Sequence, residues 1–210
     1  MNPKNWYDFI AIIYDGFTFW FYRKMRKDLI ENLHIRPGDR ILIIACGTGQ
    51  SFDLLEKKTG KQREIIGIDY SEGMLRKARK RMEKHHWTNI KLIKADVRDL
   101  SRDFFIQRDI NPEFDIVLAE LAFSVIPSWK KVMQTSLQLL KQGGRIGILD
   151  WYRPKNDLLT RIVNFLAQAE ITRNIPQYAG QLMPDFKIIK TYFYGNIFIG
   201  TGTNKAKSPQ

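Results

Sequence analysis

RILIIACGTGQSF, residues 40–52, joins a run of aliphatic residues directly to a turn with two glycines and then to a helical pattern. An aliphatic run without polar alternation is typical of a strand buried on both faces, and the glycines after it favour a tight turn. Such a turn brings backbone N–H groups and a helix N-terminus to the carboxyl edge of a sheet. Open α/β folds bind their ligands at this edge.

The same alternation of buried strand and helix continues along the chain and predicts a parallel sheet covered by helices on both faces. Ser71 is predicted to cap one of the helices, and another, over 128–141, is predicted to end at Gly143-Gly144. Near the C-terminus, Gly195-Asn196 separates two strand patterns and predicts an antiparallel hairpin with a tight turn. The predicted strands are 40–45, 64–69, 89–96, 114–120, 145–151, 187–194 and 197–203.

The composition is that of one globular domain: 210 residues, 44% hydrophobic, with a formal net charge of +12. The single cysteine excludes a disulfide framework. With only three histidines as well, we expect no metal site. Neither a signal peptide pattern nor an apolar run of about 18 residues is present, which predicts a cytoplasmic protein.

The basic excess is concentrated in two segments. Residues 76–94 hold 8 basic and 1 acidic residue, and 151–210 hold 8 and 3. This charge favours either an anionic partner, such as a membrane surface or a nucleic acid, or simply a solvated helix face.

Three ligand classes compete for the glycine turn. The Gly-Lys-Ser/Thr of a phosphate-binding P-loop is absent, and Phe52 stands where a dinucleotide-binding turn needs a small residue. A nucleoside without phosphates fits best. Asp69, at the end of the second predicted strand, is placed to accept hydrogen bonds from ribose hydroxyls, and Asp96, after the third, to reach an adenine amino group.

These residues give the chain a family resemblance. RILIIACGTGQSF, IIGIDYSEGMLRKAR, IKLIKADVRDL, FDIVLAELAFSVI and LLKQGGRIGILDWYRP stand in the order and spacing typical of class I S-adenosylmethionine-dependent methyltransferases. The resemblance covers about residues 35–203. It implies a three-layer Rossmann-like α/β sandwich whose seven-stranded sheet is mostly parallel, with an antiparallel last strand.

The resemblance also implies the cofactor, S-adenosyl-L-methionine, which leaves as S-adenosyl-L-homocysteine. Gly47 and Gly49 would face its methionine part, Asp69 its ribose, and Asp96 with Val97 its adenine. The full set of expected cofactor-binding residues is Ala45, Cys46, Gly47, Thr48, Gly49, Asp69, Tyr70, Met74, Asp96, Val97 and Glu120.

One position departs from the family pattern. An acidic residue usually stands two residues before the first small residue of the glycine turn, and here Ile43 occupies that place. The departure leaves open a second interpretation, a cofactor-binding protein that does not catalyse methyl transfer.

The acceptor is expected to lie under the N-terminal segment. Residues 6–22 hold nine aromatic residues, and in related methyltransferases this segment forms a lid. We therefore expect a lid or helical segment over 1–34, the methyltransferase domain over 35–203 and a flexible tail over 204–210; the alternative is an aromatic flap that only packs on the domain. The residues expected to act on the acceptor are Glu120 and Tyr14 as catalytic groups, and Tyr7, Tyr14, Trp151 and Tyr152 as contacts.

The looser likeness is to the branch that contains ubiquinone and menaquinone methyltransferases and bacterial phospholipid N-methyltransferases. It predicts a small or lipid-like acceptor, a phospholipid amine or a quinone-type ring, and peripheral association with the inner membrane surface. An RNA or DNA methyltransferase remains the alternative that the charge favours. Against it, Glu120-Leu-Ala-Phe stands where amino-directed base methylation uses Asn/Asp-Pro-Pro-Tyr/Phe. The oligomeric state is left open.

Overall fold

A computed structural model describes residues 20–60 and 63–205, except for the side chain of Leu159. Its centre is one seven-stranded sheet with the order β3-β2-β1-β4-β5-β7-β6. The strands are β1 (Ile41–Ile44), β2 (Ile65–Asp69), β3 (Ile90–Lys94), β4 (Phe114–Glu120), β5 (Leu140–Trp151), β6 (Lys187–Tyr192) and β7 (Ile197–Thr203). The helices are α1 (which includes 20–32), α2 (Phe52–Thr59), α3 (Glu72–His85), α4 (Arg102–Ile106), α5 (Trp129–Leu139), α6 (Leu158–Ala167) and α7 (Ile175–Leu182), with a 3₁₀ turn at Val97–Asp99.

The strand directions confirm the predicted fold class. β1 to β5 run parallel to one another, and β7 runs antiparallel between β5 and β6. In register, Ile44 of β1 lies beside Ile68 of β2 and Ala119 of β4. The residues that follow these three strands therefore meet at one carboxyl edge.

The core lies on both faces of the sheet, which makes three layers. Residues of α1, α2 and α3 pack on one face, and residues of α4, α5 and α7 pack on the other. The central strands β1, β2 and β4 are mostly aliphatic because both of their faces are buried. Ser71 caps α3 as predicted, since its hydroxyl accepts a hydrogen bond from Met74 N at 3.1 Å.

The predicted helix end at Gly143-Gly144 is wrong. Helix α5 ends at Leu139, and the chain enters β5 at the next residue. Leu140 is buried and pairs with Phe114, and the ladder then shifts register before Arg145 pairs with Ile116. The two glycines lie within this irregularity, and Gly143 has φ +74°. Burial of Leu140 against β4 therefore ends the helix earlier than the glycines indicated.

The predicted hairpin forms, but its turn is longer than two residues. Residues 193–196 connect β6 to β7, and Phe193, Tyr194 and Gly195 have φ of +49°, +55° and +83°. Helices α6 and α7, between β5 and β6, were not predicted from the sequence. Within the described residues, no helix is both long and apolar enough to cross a membrane.

Candidate functional site

The glycine turn lies at the carboxyl end of β1, as predicted. Cys46 N donates to Ile68 O at 2.9 Å, and Gly49 N donates to Cys46 O at 3.0 Å, so the turn is tied to β2 and closed on itself. Ala45, Gly47 and Gly49 have φ of +52°, +55° and +72°. A Cβ on Gly47 would meet nothing within 4 Å, whereas one on Gly49 would overlap the Phe52 ring. The open side of the turn is therefore at Gly47.

Asp69 ends β2 beside this turn and is only 5% exposed. One carboxylate oxygen accepts from Gly47 N at 2.8 Å, and the other accepts from Ser71 N at 2.9 Å. Asp69 thus fixes the open part of the glycine turn as well as the start of α3. Because each carboxylate oxygen has more than one lone pair, the same group can also accept from a ligand hydroxyl.

Asp96 follows β3 and is linked to this site by a hydrogen bond from Ala95 N to Asp69 O of 3.1 Å. Its carboxylate caps the 3₁₀ turn by accepting from Arg98 N at 2.9 Å, and it also accepts from Arg98 Nε at 2.9 Å. The Arg98 guanidinium lowers the pKa of the Asp96 carboxyl below its ordinary value. Val97 beside it is buried. The edge thus presents Gly47, Asp69 and Asp96 in strand order β1, β2, β3.

Of the remaining predicted cofactor residues, Cys46 and Thr48 lie within the turn, Tyr70 follows Asp69, and Met74 lies near the start of α3. Burial, with Asp69 nearby, raises the pKa of the Cys46 thiol, so the neutral thiol is favoured. Its Sγ would lie 2.9 Å from a Cβ on Gly67, which shows how closely Cys46 packs on β2. Thr48 O accepts from Arg81 Nε at 3.2 Å, and Met74 is 3% exposed.

Glu120, the last residue of β4, belongs to a buried polar cluster. Its carboxylate accepts from Arg26 Nε of α1 at 3.3 Å and from Ser51 Oγ at 2.6 and 2.8 Å. The side chains of Arg26 and Glu120 are 6% and 10% exposed. A buried ion pair of this kind is costly to break, since either partner alone is an uncompensated charge.

A small recess adjoins this cluster between α1 and the start of α2. It is lined by Arg23, Arg26, Gln50, Asp53 and Leu54. It therefore connects the helix that supplies Arg26 with the residue that follows the glycine turn.

The predicted acceptor residues are divided between the two faces of the sheet. Trp151 packs with the α1 layer, and its Nε1 donates to Tyr22 Oη at 2.9 Å. Tyr152 packs with the opposite layer, so the two rings do not line one surface. Tyr7 and Tyr14, with the rest of 1–19, lie outside the described residues.

Asp150 organises the loop after β4. It is fully buried, and its carboxylate accepts from Ser124 N at 3.1 Å and from Trp151 N at 2.8 Å. Burial raises its pKa to about 6, although the hydrogen bonds that it accepts oppose the shift. The loop that follows Glu120 is thereby fixed to the end of β5.

Sequence reasoning missed Arg26, Ser51 and Asp150. Arg26 has a signal that could have found it, a cation within a helical stripe that includes Tyr22, Met25 and Leu29. A charged residue on an otherwise apolar helix face needs a buried partner. The identity of that partner depends on packing across the sheet, 94 residues away in the chain.

The strand order, the glycine turn and the carboxylates at the ends of β2 and β3 define an S-adenosylmethionine-dependent methyltransferase domain. The sequence profile of a family described as a methyltransferase domain matches residues 35–197. The chain belongs to that family.

Relatives of this class resemble the chain over most of its length. The demethylmenaquinone methyltransferase of Shouchella clausii is 29% identical over 133 residues, which are 63% of this chain and 54% of that protein. The chain thus spans about half the length of the curated relatives that it matches.

Solved structures share the fold at low sequence identity. A SAM-dependent methyltransferase from Aquifex aeolicus superposes with a TM-score of 0.61 at 16% identity, covering 85% of this chain and 88% of the other. The phosphoethanolamine N-methyltransferase 2 of Haemonchus contortus, solved with phosphomonomethylethanolamine and S-adenosylhomocysteine, has a TM-score of 0.68 at 16% identity, covering 86% and 43%.

Proposed function

We propose that the protein is an S-adenosylmethionine-dependent methyltransferase that acts on a small or lipid-like acceptor. The observation that carries this proposal is the contact between Asp69 and Gly47 N. One carboxylate both fixes the open part of the glycine turn and stands at the carboxyl edge, where it can accept from ribose hydroxyls. The donor set and the open space at Gly47 fit a nucleoside with an amino-acid tail.

The cofactor, when bound, supplies a methyl group on a sulfonium, which is already an activated leaving group. The protein therefore has to align the acceptor with the methyl group and exclude water. Gly47, Asp69 and Asp96 hold the nucleoside in this proposal, and Glu120 marks the end of β4 closest to the amino-acid tail.

Glu120 and Arg26 can take the place of the acidic residue that position 43 lacks. Ile43 pairs with Leu118, and Glu120 lies two residues further along β4 on the same face of the sheet. A carboxylate and a guanidinium side by side complement the ammonium and carboxylate of a methionine tail. We assign the pair to this tail, with Glu120 facing the ammonium and Arg26 the carboxylate, rather than assigning Glu120 a role as proton acceptor.

The class of acceptor is supported by the names of the relatives and by the aromatic character of the edge. The Shouchella relative is named for a quinone acceptor, and the Haemonchus structure contains a phosphorylated amino alcohol. Near the end of β5, Trp151 lies beside Phe193 with ring centroids 5.9 Å apart, and Trp20 of α1 is 74% exposed. Aromatic side chains at this edge suit a greasy acceptor.

Calorimetric titration with S-adenosylhomocysteine tests the cofactor site. Asp69→Ala should weaken binding by about 1.5–3 kcal/mol, the scale of hydrogen bonds to a charged group. The matched control is Glu83→Ala, which removes an exposed carboxylate from α3. Melting curves of both variants separate lost contacts from a loosened turn. Equal affinity of Asp69→Ala and the parent protein would remove Asp69 from the ribose role.

A transfer assay with methyl-labelled cofactor then tests activity. The label should enter a lipid or quinone extract and not an RNA extract. Label in RNA alone would favour the nucleic-acid alternative. Cofactor binding without any transfer to the three extracts would favour a protein that binds the cofactor but does not catalyse.

A further inference from the structure

Helix α6 has its apolar face turned outward. Leu158, Ile162, Phe165 and Leu166 are 74%, 46%, 71% and 58% exposed. Their spacing of four, seven and eight residues from the first places them on one side of the helix. An ordinary surface helix buries such a side against the core, whereas α6 exposes it.

The polar side of α6 holds the helix on the domain. Thr160 is fully buried; its hydroxyl donates to Lys155 O at 2.5 Å and accepts from Arg153 Nε at 3.1 Å. Asn164 Oδ1 accepts from Ile171 N at 2.9 Å, and Asp157 caps the first turn through Thr160 N. The outward position of the apolar side is therefore fixed by specific hydrogen bonds on the inward side.

A second exposed apolar group lies on the turn that contacts the segment before α6. Phe193 and Tyr194, at the tip of the β6–β7 turn, are 46% and 100% exposed, and both have left-handed backbone conformations. Asn196 of the same turn accepts from Tyr152 N through its carbonyl and from Arg153 Nη1 through its side chain, both at 2.9 Å. These contacts hold the turn against the segment that leads into α6. We call the six residues Leu158, Ile162, Phe165, Leu166, Phe193 and Tyr194 the apolar edge.

The charge around the apolar edge identifies its partner. Lys155 and Arg161 are exposed and lie close in the chain to Leu158 and Ile162. Apolar side chains flanked by long cations, with tyrosine at the margin, match the interfacial region of an anionic bilayer, where the cations reach the headgroups.

We propose that the apolar edge docks the protein on an anionic lipid surface. Helix α6 lies in the plane of that surface with its apolar side in the headgroup region, and the tip of the β6–β7 turn inserts beside it. Because Trp151, next to this turn, ends β5 at the carboxyl edge of the sheet, docking brings the proposed site close to the lipid. The inference rests on the proposed function only for the use of a lipid-like acceptor; lipid binding itself is measured without an acceptor.

The test is co-sedimentation of the full chain with vesicles of equal parts phosphatidylglycerol and phosphatidylcholine, and with vesicles of phosphatidylcholine alone. The double variant Ile162→Glu/Phe165→Glu should reduce partition onto the anionic vesicles about tenfold or more. The matched control is Ile106→Glu, which places the same charge at an exposed apolar residue of α4, outside the apolar edge. It should partition as the parent protein does.

Three results would overturn the proposal. The double variant could bind anionic vesicles as well as Ile106→Glu does. It could convert an oligomer of the parent protein to a monomer in sedimentation velocity, which would make the edge a contact between copies. It could lower the melting temperature in the absence of lipid, which would show that the chain itself covers the edge. Calorimetry with S-adenosylhomocysteine on the same variants distinguishes these results from failure of the proposed function.

Discussion

Ala45 and Leu121 are the first residues after β1 and β4, and both have left-handed backbone conformations, with φ of +52° and +54°. Left-handed non-glycine residues cost about 1–3 kcal/mol each and persist only where the surroundings enforce them. Leu121 N donates to Leu149 O at 2.6 Å, and Cys46 N after Ala45 donates to Ile68 O. The strain thus lies at the carboxyl edge, on both sides of the proposed tail site, and the neighbouring strands maintain it.

Gly47 and Gly49 have the same left-handed backbone but different surroundings, so alanine should affect them differently. Gly47→Ala adds a methyl group in open space and should cost about 1–2 kcal/mol of stability from backbone strain alone. Its main effect should be weaker cofactor binding, because the methyl group occupies the open side of the turn. Gly49→Ala should destabilise the fold more strongly, because its methyl group overlaps the fully buried Phe52 ring.

Urea unfolding and calorimetry on both glycine variants check this difference. A Gly47→Ala protein that binds S-adenosylhomocysteine like the parent would mean that the cofactor does not approach the turn from this side.

Asp150 predicts a pH dependence of stability. Its pKa is about 6 in the folded protein against an ordinary value of 3.8, so between these values the folded state binds a proton that the unfolded state has lost. The free energy of unfolding should therefore fall as the pH rises through this range. The contribution of Asp150 is about 2–3 kcal/mol between about pH 4 and pH 7.

The stability difference between the parent protein and Asp150→Asn should isolate this contribution. It should shift by that amount in favour of the variant as the pH rises, whatever its value at neutral pH. Urea titrations at several pH values measure it. A difference that does not change with pH would show that Asp150 titrates alike in both states.

The carboxylates of the site differ in how far the sequence reveals them. Asp69 and Asp96 follow aliphatic strand patterns directly, so their place at one edge follows from the parallel sheet alone. The pairing of Glu120 with Arg26 cannot be inferred from the strand pattern, because it depends on where α1 crosses the sheet. The location of a site can thus be read from strand ends, whereas its charge pairs require the packed structure.

At the scale of elements, the strands that are buried on both faces were the easiest to predict. The predicted bounds of β4 and β7 agree with the structure, and β1 and β2 are one or two residues shorter than predicted. The edge strand β3 is only partly buried and is three residues shorter than predicted. β5 was missed at its start because Leu140-Lys-Gln-Gly-Gly reads locally as a helix end, and only pairing with β4 makes it a strand. Helix α6 was not predicted either. Its pattern is amphipathic, but its apolar side does not join the core.

Helix α1 divides the N-terminal segment into two parts with different roles. Leu29, Ile30 and Leu33 are almost fully buried against the sheet, and Arg145 Nη1 donates to Leu33 O at 2.8 Å. A chain without residues 1–34 should therefore fail to fold, since it loses these three core side chains, those of Tyr22 and Met25, and Arg26.

A chain without residues 1–19 tests the proposed lid. It should fold and bind cofactor, because α1 from residue 20 is kept, but it should lose methyl transfer. Circular dichroism, calorimetry and the labelled-methyl assay measure the three properties. Full transfer activity in this shortened chain would refute the lid.

Over the whole molecule, the two concentrations of positive charge lie at different places on the sheet. Helix α3 packs beside β2 and β3 at one end of the strand order, whereas residues 151–210 include β7 and β6 at the other end. In the part of the chain that the structure describes, positive charge is therefore present at both ends of the sheet. Positive charge distributed in this way attracts anionic surfaces at a distance but does not select an acceptor.

The charge on α3 should consequently act only at low ionic strength. Arg76, Lys80 and Lys84 are exposed at a spacing of four, so they share one side of the helix. Reversing all three to Glu should reduce binding to anionic vesicles at about 0.1 M salt, where the Debye length is about 10 Å, and should have little effect at about 1 M. The Ile162→Glu/Phe165→Glu variant should remain defective at both concentrations, because insertion of apolar side chains is not screened.

Turnover of a soluble acceptor provides the control for the α3 variant. It should be nearly unchanged by the triple reversal, since α3 contributes its start, near Ser71, to the carboxyl edge and presents its three cations further along. Loss of that turnover, with cofactor binding and melting temperature intact, would place this helix in the acceptor site. An extended cationic helix side in that position would then favour a nucleic-acid acceptor over a lipid-like one, because a phosphate backbone is the ligand that such a row of cations fits.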